Sequence, residues 1–164
     1  MRLGFLALAI LAPGLAFGSN NLPPSPENIA ATYKDVAIEA LKKEAAGDIR
    51  MSDFRLNVFI PDNHKYKERY ALVYMCGRIA GRDSASLRSA DEPVYVWGSV
   101  GFSGKAVTEG ARISEVVFVN RINNNVERII ANRVLNTRCL GKDISRKASI
   151  SAQGDTFTTH VIDM

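Results

Sequence analysis

An α+β domain is the fold class this sequence predicts, and three observations predict it. A stretch with apolar residues at helical spacing comes first, a series of runs with period two follows, and a second helical stretch closes the series. Ahead of all three, the chain of 164 residues opens with Met1-Arg2, an apolar run from Leu3 to Ala12, the breakers Pro13-Gly14, and Ala16-Phe17-Gly18 before Ser19. A charged start, a short apolar centre and small residues before the cut predict a cleavable export signal over residues 1–18. Spanning a bilayer takes about 20 apolar residues, and this run is about half that before Pro13 interrupts it. A lipid-anchored form would need a cysteine just after the run, whereas the cysteines are Cys76 and Cys139. The expected product is periplasmic or secreted, soluble, and without stable membrane insertion once the leader is gone.

Residues 19–26, with paired asparagines and three prolines, read as a tether. Ser25, Pro26 and Glu27 then form a helix start: a capping hydroxyl, a first-turn proline and a first-turn acid. Ile29, Tyr33, Val36, Ala37, Ala40 and Leu41 fall on one side, with Lys34, Asp35, Glu39, Lys42 and Lys43 on the other, and Gly47 is the expected stop. From Ile49 the period becomes two, as Phe54, Leu56, Val58 and Ile60 alternate with Arg55, Asn57 and Phe59 up to the turn Pro61-Asp62-Asn63. The run Arg69 to Ile79 is apolar on both parities, as a central strand covered on both faces should be. Two more runs, a short one at Val94–Trp97 and another at Arg112–Asn120, bring the expectation to about four antiparallel strands.

A second helix is expected from Arg121 to Thr137, its stripe made of Ile122, Val126, Ile129 and Ile130, and Gly141 as its end. The single domain then spans residues 27–141. Residues 142–164 are rich in Ser and Thr and read as a partly ordered segment, with a short added strand near Thr156 to Ile162 or a mobile tail as alternatives.

Two cysteines in an exported chain predict one disulfide, Cys76 to Cys139. Closing so long a loop is worth roughly 4 kcal/mol on chain-entropy grounds. The net charge is +4, a mild excess that favours an anionic partner; nucleic acid is not expected, because the basic residues are interspersed with acids.

The run from Tyr70 through Cys76-Gly77 to Ile79, with a helix upstream and a lone cysteine near the end of the fold, resembles small exported bacterial proteins of unknown function. Those share a strand ending in Cys-Gly-x-Val, an Asn- and Gly-rich turn and an aromatic third strand. The match in detail is Cys76-Gly77-x-Ile79 and Tyr95-Val96-Trp97, and the chain departs from the pattern at Ala80-Gly81-Arg82. The resemblance implies the architecture and supplies no activity.

Motifs for catalysis or cofactors fail on spacing. Gly98 to Ala106 has the glycines and lysine of a phosphate loop, but five residues stand between the outer glycines where four are required, and Ala106 lacks the magnesium-binding hydroxyl. These glycines fit better a bend or bulge between two strands. Gly101-Phe102-Ser103-Gly104 is one residue short of a hydrolase elbow. His64 in a turn and His160 in the tail have no partner at metal-ligand spacing, so no metal and no cofactor is expected.

Two features remain as candidate binding residues. Arg133 falls in the middle of the second helix's apolar stripe, where it could pair with Asp91 or Glu92 at the mouth of a cleft and grip a carboxylate or phosphate. Tyr95, Trp97 and Phe102 belong to a set of rings dense for one small sheet. Tyr95 and Trp97 share a parity opposite Val94 and Val96, so the valines should lie beneath a helix and the rings should face away from the helices, with Trp97 partly solvent-accessible. The function expected is a non-enzymatic binding protein: an inhibitor, a toxin-neutralising partner or an envelope adaptor, engaging a protein partner or a second copy through its aromatic face. The alternative is an envelope hydrolase acting on cell-wall material.

Overall fold

The computed structural model describes residues 23–46, 49–62, 68–81, 91–139 and 157–164. The expected leader, the start of the tether, Gly47, His64 and most of the Ser- and Thr-rich segment lie outside them. Helix α1 (Pro26–Ala45) begins as the sequence predicts, with the Ser25 hydroxyl accepting from the Asn28 N–H at 3.2 Å. Its last turn ends on Ala46, which takes the left-handed conformation at φ 54°. Ile29, Ala30, Tyr33, Ala37 and Leu41 are buried, a stripe at helical spacing laid on one face of the sheet.

That sheet has five antiparallel strands: β1 (Ile49–Pro61), β2 (Glu68–Gly81), β3 (Glu92–Ser103), β4 (Ala106–Phe118) and β5 (Phe157–Asp163), in the order β4-β3-β2-β1-β5. The first four form a meander of neighbours in sequence. The fifth strand returns to the free edge of β1, with Asn57 opposite Val161 and Phe59 opposite Thr159. The strand near Thr156 to Ile162, held open against a mobile tail in the sequence, is this element.

β3 is much longer than the run Val94–Trp97, and β4 begins at Ala106 rather than Arg112. Glycine explains the shortfall, because Gly98 reads as a break but is an interior residue of β3. The β3–β4 register slips between Trp97 and Gly98, and a Cβ at position 98 would collide with the Arg112 carbonyl oxygen. Only glycine allows the neighbouring backbone to swell there. The turn comes later, at Gly104 with φ 55°.

Beyond β4 a 3-10 turn (Val119–Arg121) leads to α2 (Asn125–Val134), which runs into a π-helical turn (Leu135–Cys139). Asn124 caps α2, its side-chain oxygen accepting from the Val126 N–H at 2.9 Å. The helix is thus shorter than the expected Arg121–Thr137. The disulfide joins Cys76 in the middle of β2 to Cys139 in the π turn, with Cα atoms 5.6 Å apart.

Alternation along the strands divides the core into two layers. Leu56, Val58, Val73, Met75, Val94, Val96, Val100 and Phe102 pack with α1, the larger layer. On the opposite face Cys76, Tyr95, Val117 and Val119 pack with Ala131, Leu135 and Cys139. The two helices therefore lie on opposite faces of the sheet. Among the described residues no helix is long and apolar enough to cross a membrane.

Candidate functional site

Strand register assembles the second face from rows of residues that share a level across the sheet. One row runs Val161, Asn57, Tyr74, Trp97 and Glu115 over all five strands, and the next runs Asp163, Arg55, Cys76, Tyr95 and Val117. Because paired residues project to the same side, these groups meet in space although up to about a hundred residues separate them. Tyr74 stacks on Trp97, centroids 5.9 Å apart and 14° from parallel, and meets Phe59 edge-on at 5.6 Å. The Arg138 guanidinium stands 5.3 Å over the Phe59 ring, and the Trp97 indole N–H donates to Glu115 Oε2 at 3.3 Å. A band of rings thus ends on a cation at one side and on a carboxylate at the other.

Burial sets the protonation of this band. Desolvation raises the Tyr74 phenol, opposed by the charge of Arg138, and it lowers the Arg138 guanidinium. Tyr95 is pushed up to about 12, first by burial and then by the neighbouring Glu115 carboxylate and Tyr74. Asn57 is fully buried, its Nδ2 lying 3.7 Å from Cys76 Sγ while its Oδ1 has no partner among the described residues.

The candidate residues from the sequence fall in three places. Tyr95 and Trp97 share the second face, as their parity requires, and that face is turned away from α1. It is not turned away from α2. Tyr95 is only 5% exposed beneath the α2 segment, whereas Trp97 is half-buried at its margin. Phe102 lies on the opposite face, buried with α1, because it shares the parity of Val94, Val96 and Val100. Arg133 is exposed on α2 and does not meet the rings. Glu92, a candidate partner for Arg133, instead pairs with Arg121 at 3.1 Å, and the Asp91 carbonyl accepts from Arg78 at 2.8 Å.

The largest departure from expectation is the stripe of α2. Val126, Ile129 and Ile130 are 65%, 68% and 57% exposed, while the buried side of the segment is carried by Ala131, Leu135 and Cys139. At 100° per residue Ala131 sits about 150° around the helix from the centre of the aliphatic stripe. Small Ala131 lets the helix touch the sheet, and the π turn and disulfide supply the rest of the anchorage. The apolar pattern marks the side facing outward.

Between α2 and the β3–β4 margin lies a cleft of about 330 Å³, lined among others by Tyr95, Glu115, Val117, Ile122, Glu127 and Ile130. A second hollow, about 540 Å³, opens beside the disulfide and is bordered by Arg55, Arg78 and Asp163, with Arg55 and Asp163 paired at 3.1 Å. Sequence reasoning passed over Glu115, Glu127 and Arg138. Only the pairing of Glu115 with Trp97 across β3 and β4, or the fold of the chain after Val119, brings them to this face. Among the described residues no three His, Cys, Asp or Glu side chains converge as a metal ion requires. Set against protein-family models, curated proteins and solved structures, the chain matches none of them.

Proposed function

We propose that this chain is an exported, non-enzymatic binding protein of the periplasm or the extracellular space, and that its partner docks on the outward side of α2. One observation carries the reading: Val126, Ile129 and Ile130 expose most of their aliphatic surface side by side on a helix tied down at its far end by a disulfide. Clustered exposed aliphatics on an anchored helix are typical of an interaction site, since water covers them at a cost that a partner removes. Anchorage matters as much as exposure, because a helix fixed before binding loses less entropy on docking. The disulfide and the leader-like start support the export half of the proposal. Inhibitor, toxin-neutralising partner and envelope adaptor all require such a surface.

A photo-crosslinking residue tests the docking half. Placed at Ile129 in protein expressed in its own cell envelope, it should yield one adduct of discrete mass. The same residue at Lys105, exposed in the β3–β4 turn, should yield none. Absence of an adduct at Ile129, or equal adducts at both positions, rejects α2 as the docking surface.

A further inference from the structure

The cleft beside the exposed stripe carries a charge opposite to that of the molecule. The chain as a whole is at +4, yet the cleft is lined by Glu115 and Glu127, neither of which has an ion-pair partner among the described residues. Its one cation is already engaged, because Arg121 pairs with Glu92 at 3.1 Å and lies 4.0 Å over the Phe118 ring. Among the described residues Glu115 accepts only the Trp97 indole N–H and Glu127 only the Asn124 amide, at 3.3 Å and 3.4 Å. Each carboxylate keeps acceptor capacity to spare. An independent observation comes from Tyr95, which lines the same cleft at 5% exposure and whose hydroxyl makes no hydrogen bond among the described residues. The unbonded hydroxyl of this otherwise buried side chain and the two exposed carboxylates, each with acceptor capacity to spare, form an acceptor set for a donor that comes from elsewhere.

We infer that this cleft receives a cationic side chain, lysine or arginine, of the partner that docks on α2. The inference rests on the docking reading above and names the chemistry of the partner: an apolar segment carrying a cation beside its contact residues. Ile130 belongs to both the stripe and the cleft wall, so a ligand lying on Val126 and Ile129 reaches the cleft without a gap. The methylene stem of the incoming residue would lie along Val117, Ile122 and Ala131, and its charged head would meet Glu115, Glu127 and the Tyr95 hydroxyl. The outward stripe of α2 itself ends on a cation, Arg133, so a second copy of the chain is the competing occupant. A dimer of the isolated chain in sedimentation, lost in Arg133→Gln, overturns the foreign partner.

The test uses the disulfide-bonded chain and three amphipathic peptides of one apolar sequence, labelled for anisotropy, carrying lysine, glutamine or glutamate at the position beside the apolar face. Vesicles of anionic lipid form a fourth arm. Trp97 is the only tryptophan and touches Glu115, so its emission reports occupancy of the cleft directly. The lysine peptide should bind at least tenfold more tightly than the glutamine peptide and shift Trp97 emission. Glu115→Gln with Glu127→Gln should erase the difference, with an unchanged circular dichroism spectrum. Equal binding of all three peptides, lost in Ile129→Ser with Ile130→Ser, overturns the cation cleft and keeps the docking surface. Lysine-selective binding that survives those two serines keeps the cleft and overturns the docking surface. Failure of the lysine peptide to bind, or preference for the glutamate peptide or the vesicles, overturns the cleft.

Discussion

Gly98 and Gly110 are both strand glycines, and their surroundings give opposite expectations for the same substitution. A Cβ on Gly98 runs into the Arg112 carbonyl across the bulge, whereas one on Gly110 meets nothing within 4 Å. Gly98→Ala should therefore lower stability by about 2–3 kcal/mol and Gly110→Ala by less than about 0.5 kcal/mol, as read from urea midpoints. Equal midpoints would mean that the bulge yields at no cost. Tyrosine titration gives a second expectation at this scale. Burial raises Tyr95 from 10.0 to about 12, so the folded state holds the phenolic proton more tightly than the unfolded chain does. That contribution is complete below pH 10, and it declines as pH climbs toward about 12. Urea midpoints should fall across that window, and Tyr95→Phe should flatten the fall. An unchanged slope in the variant would show that Tyr95 takes no part.

At the scale of elements, α2 invites the clearest contrast. Ile129→Ser and Ile130→Ser alter residues more than half exposed and should each change stability by less than about 0.5 kcal/mol. Leu135→Ala, 7% exposed in the second layer, should cost about 2–4 kcal/mol. A large loss from the isoleucines would place them in a core. The start and most of the buried stripe of α1 were legible because the local signals agreed: capping serine, first-turn proline, and Ile29, Tyr33, Ala37 and Leu41 facing the sheet. Val36, counted on the same side, lies at the margin of the stripe and is 42% exposed. The pattern of α2 was equally clear and pointed the wrong way, since periodicity reports that a helix has an apolar side without saying what that side meets. β3 was cut short for a different reason: glycine's local meaning is a break, and its actual use here, room for a bulge, depends on β4. Tyr95 and Trp97 were placed together by strand parity alone, and Phe102 was grouped with them by ring chemistry against that parity. Glu115 and Glu127 escaped notice because nothing in the sequence puts them together.

On the scale of the whole molecule, the disulfide ties the smaller layer to the sheet and closes a separation of 63 residues. Its reduction should remove roughly 4 kcal/mol of stability by the chain-entropy estimate. It should also raise iodide quenching of Trp97, which is half-buried at the edge of that layer, toward the value for a free indole. Quenching that does not change on reduction would mean that the α2 segment holds its place without the covalent link. The position of β5 adds a consequence in time. The meander from β1 to β4 joins neighbours along the chain, but β5 reaches β1 across most of it, with Thr158 bonded to Asp62 96 positions earlier. Contacts that span so much chain are slow to close. As the chain folds it can build four strands while the outer edge of β1 waits unpaired, and in that interval a row of free backbone groups is open to any extended strand nearby. The interval before β5 docks is therefore when this protein is most exposed to mispairing, and pulse-labelled hydrogen exchange should find β1 amides facing β5 protected last.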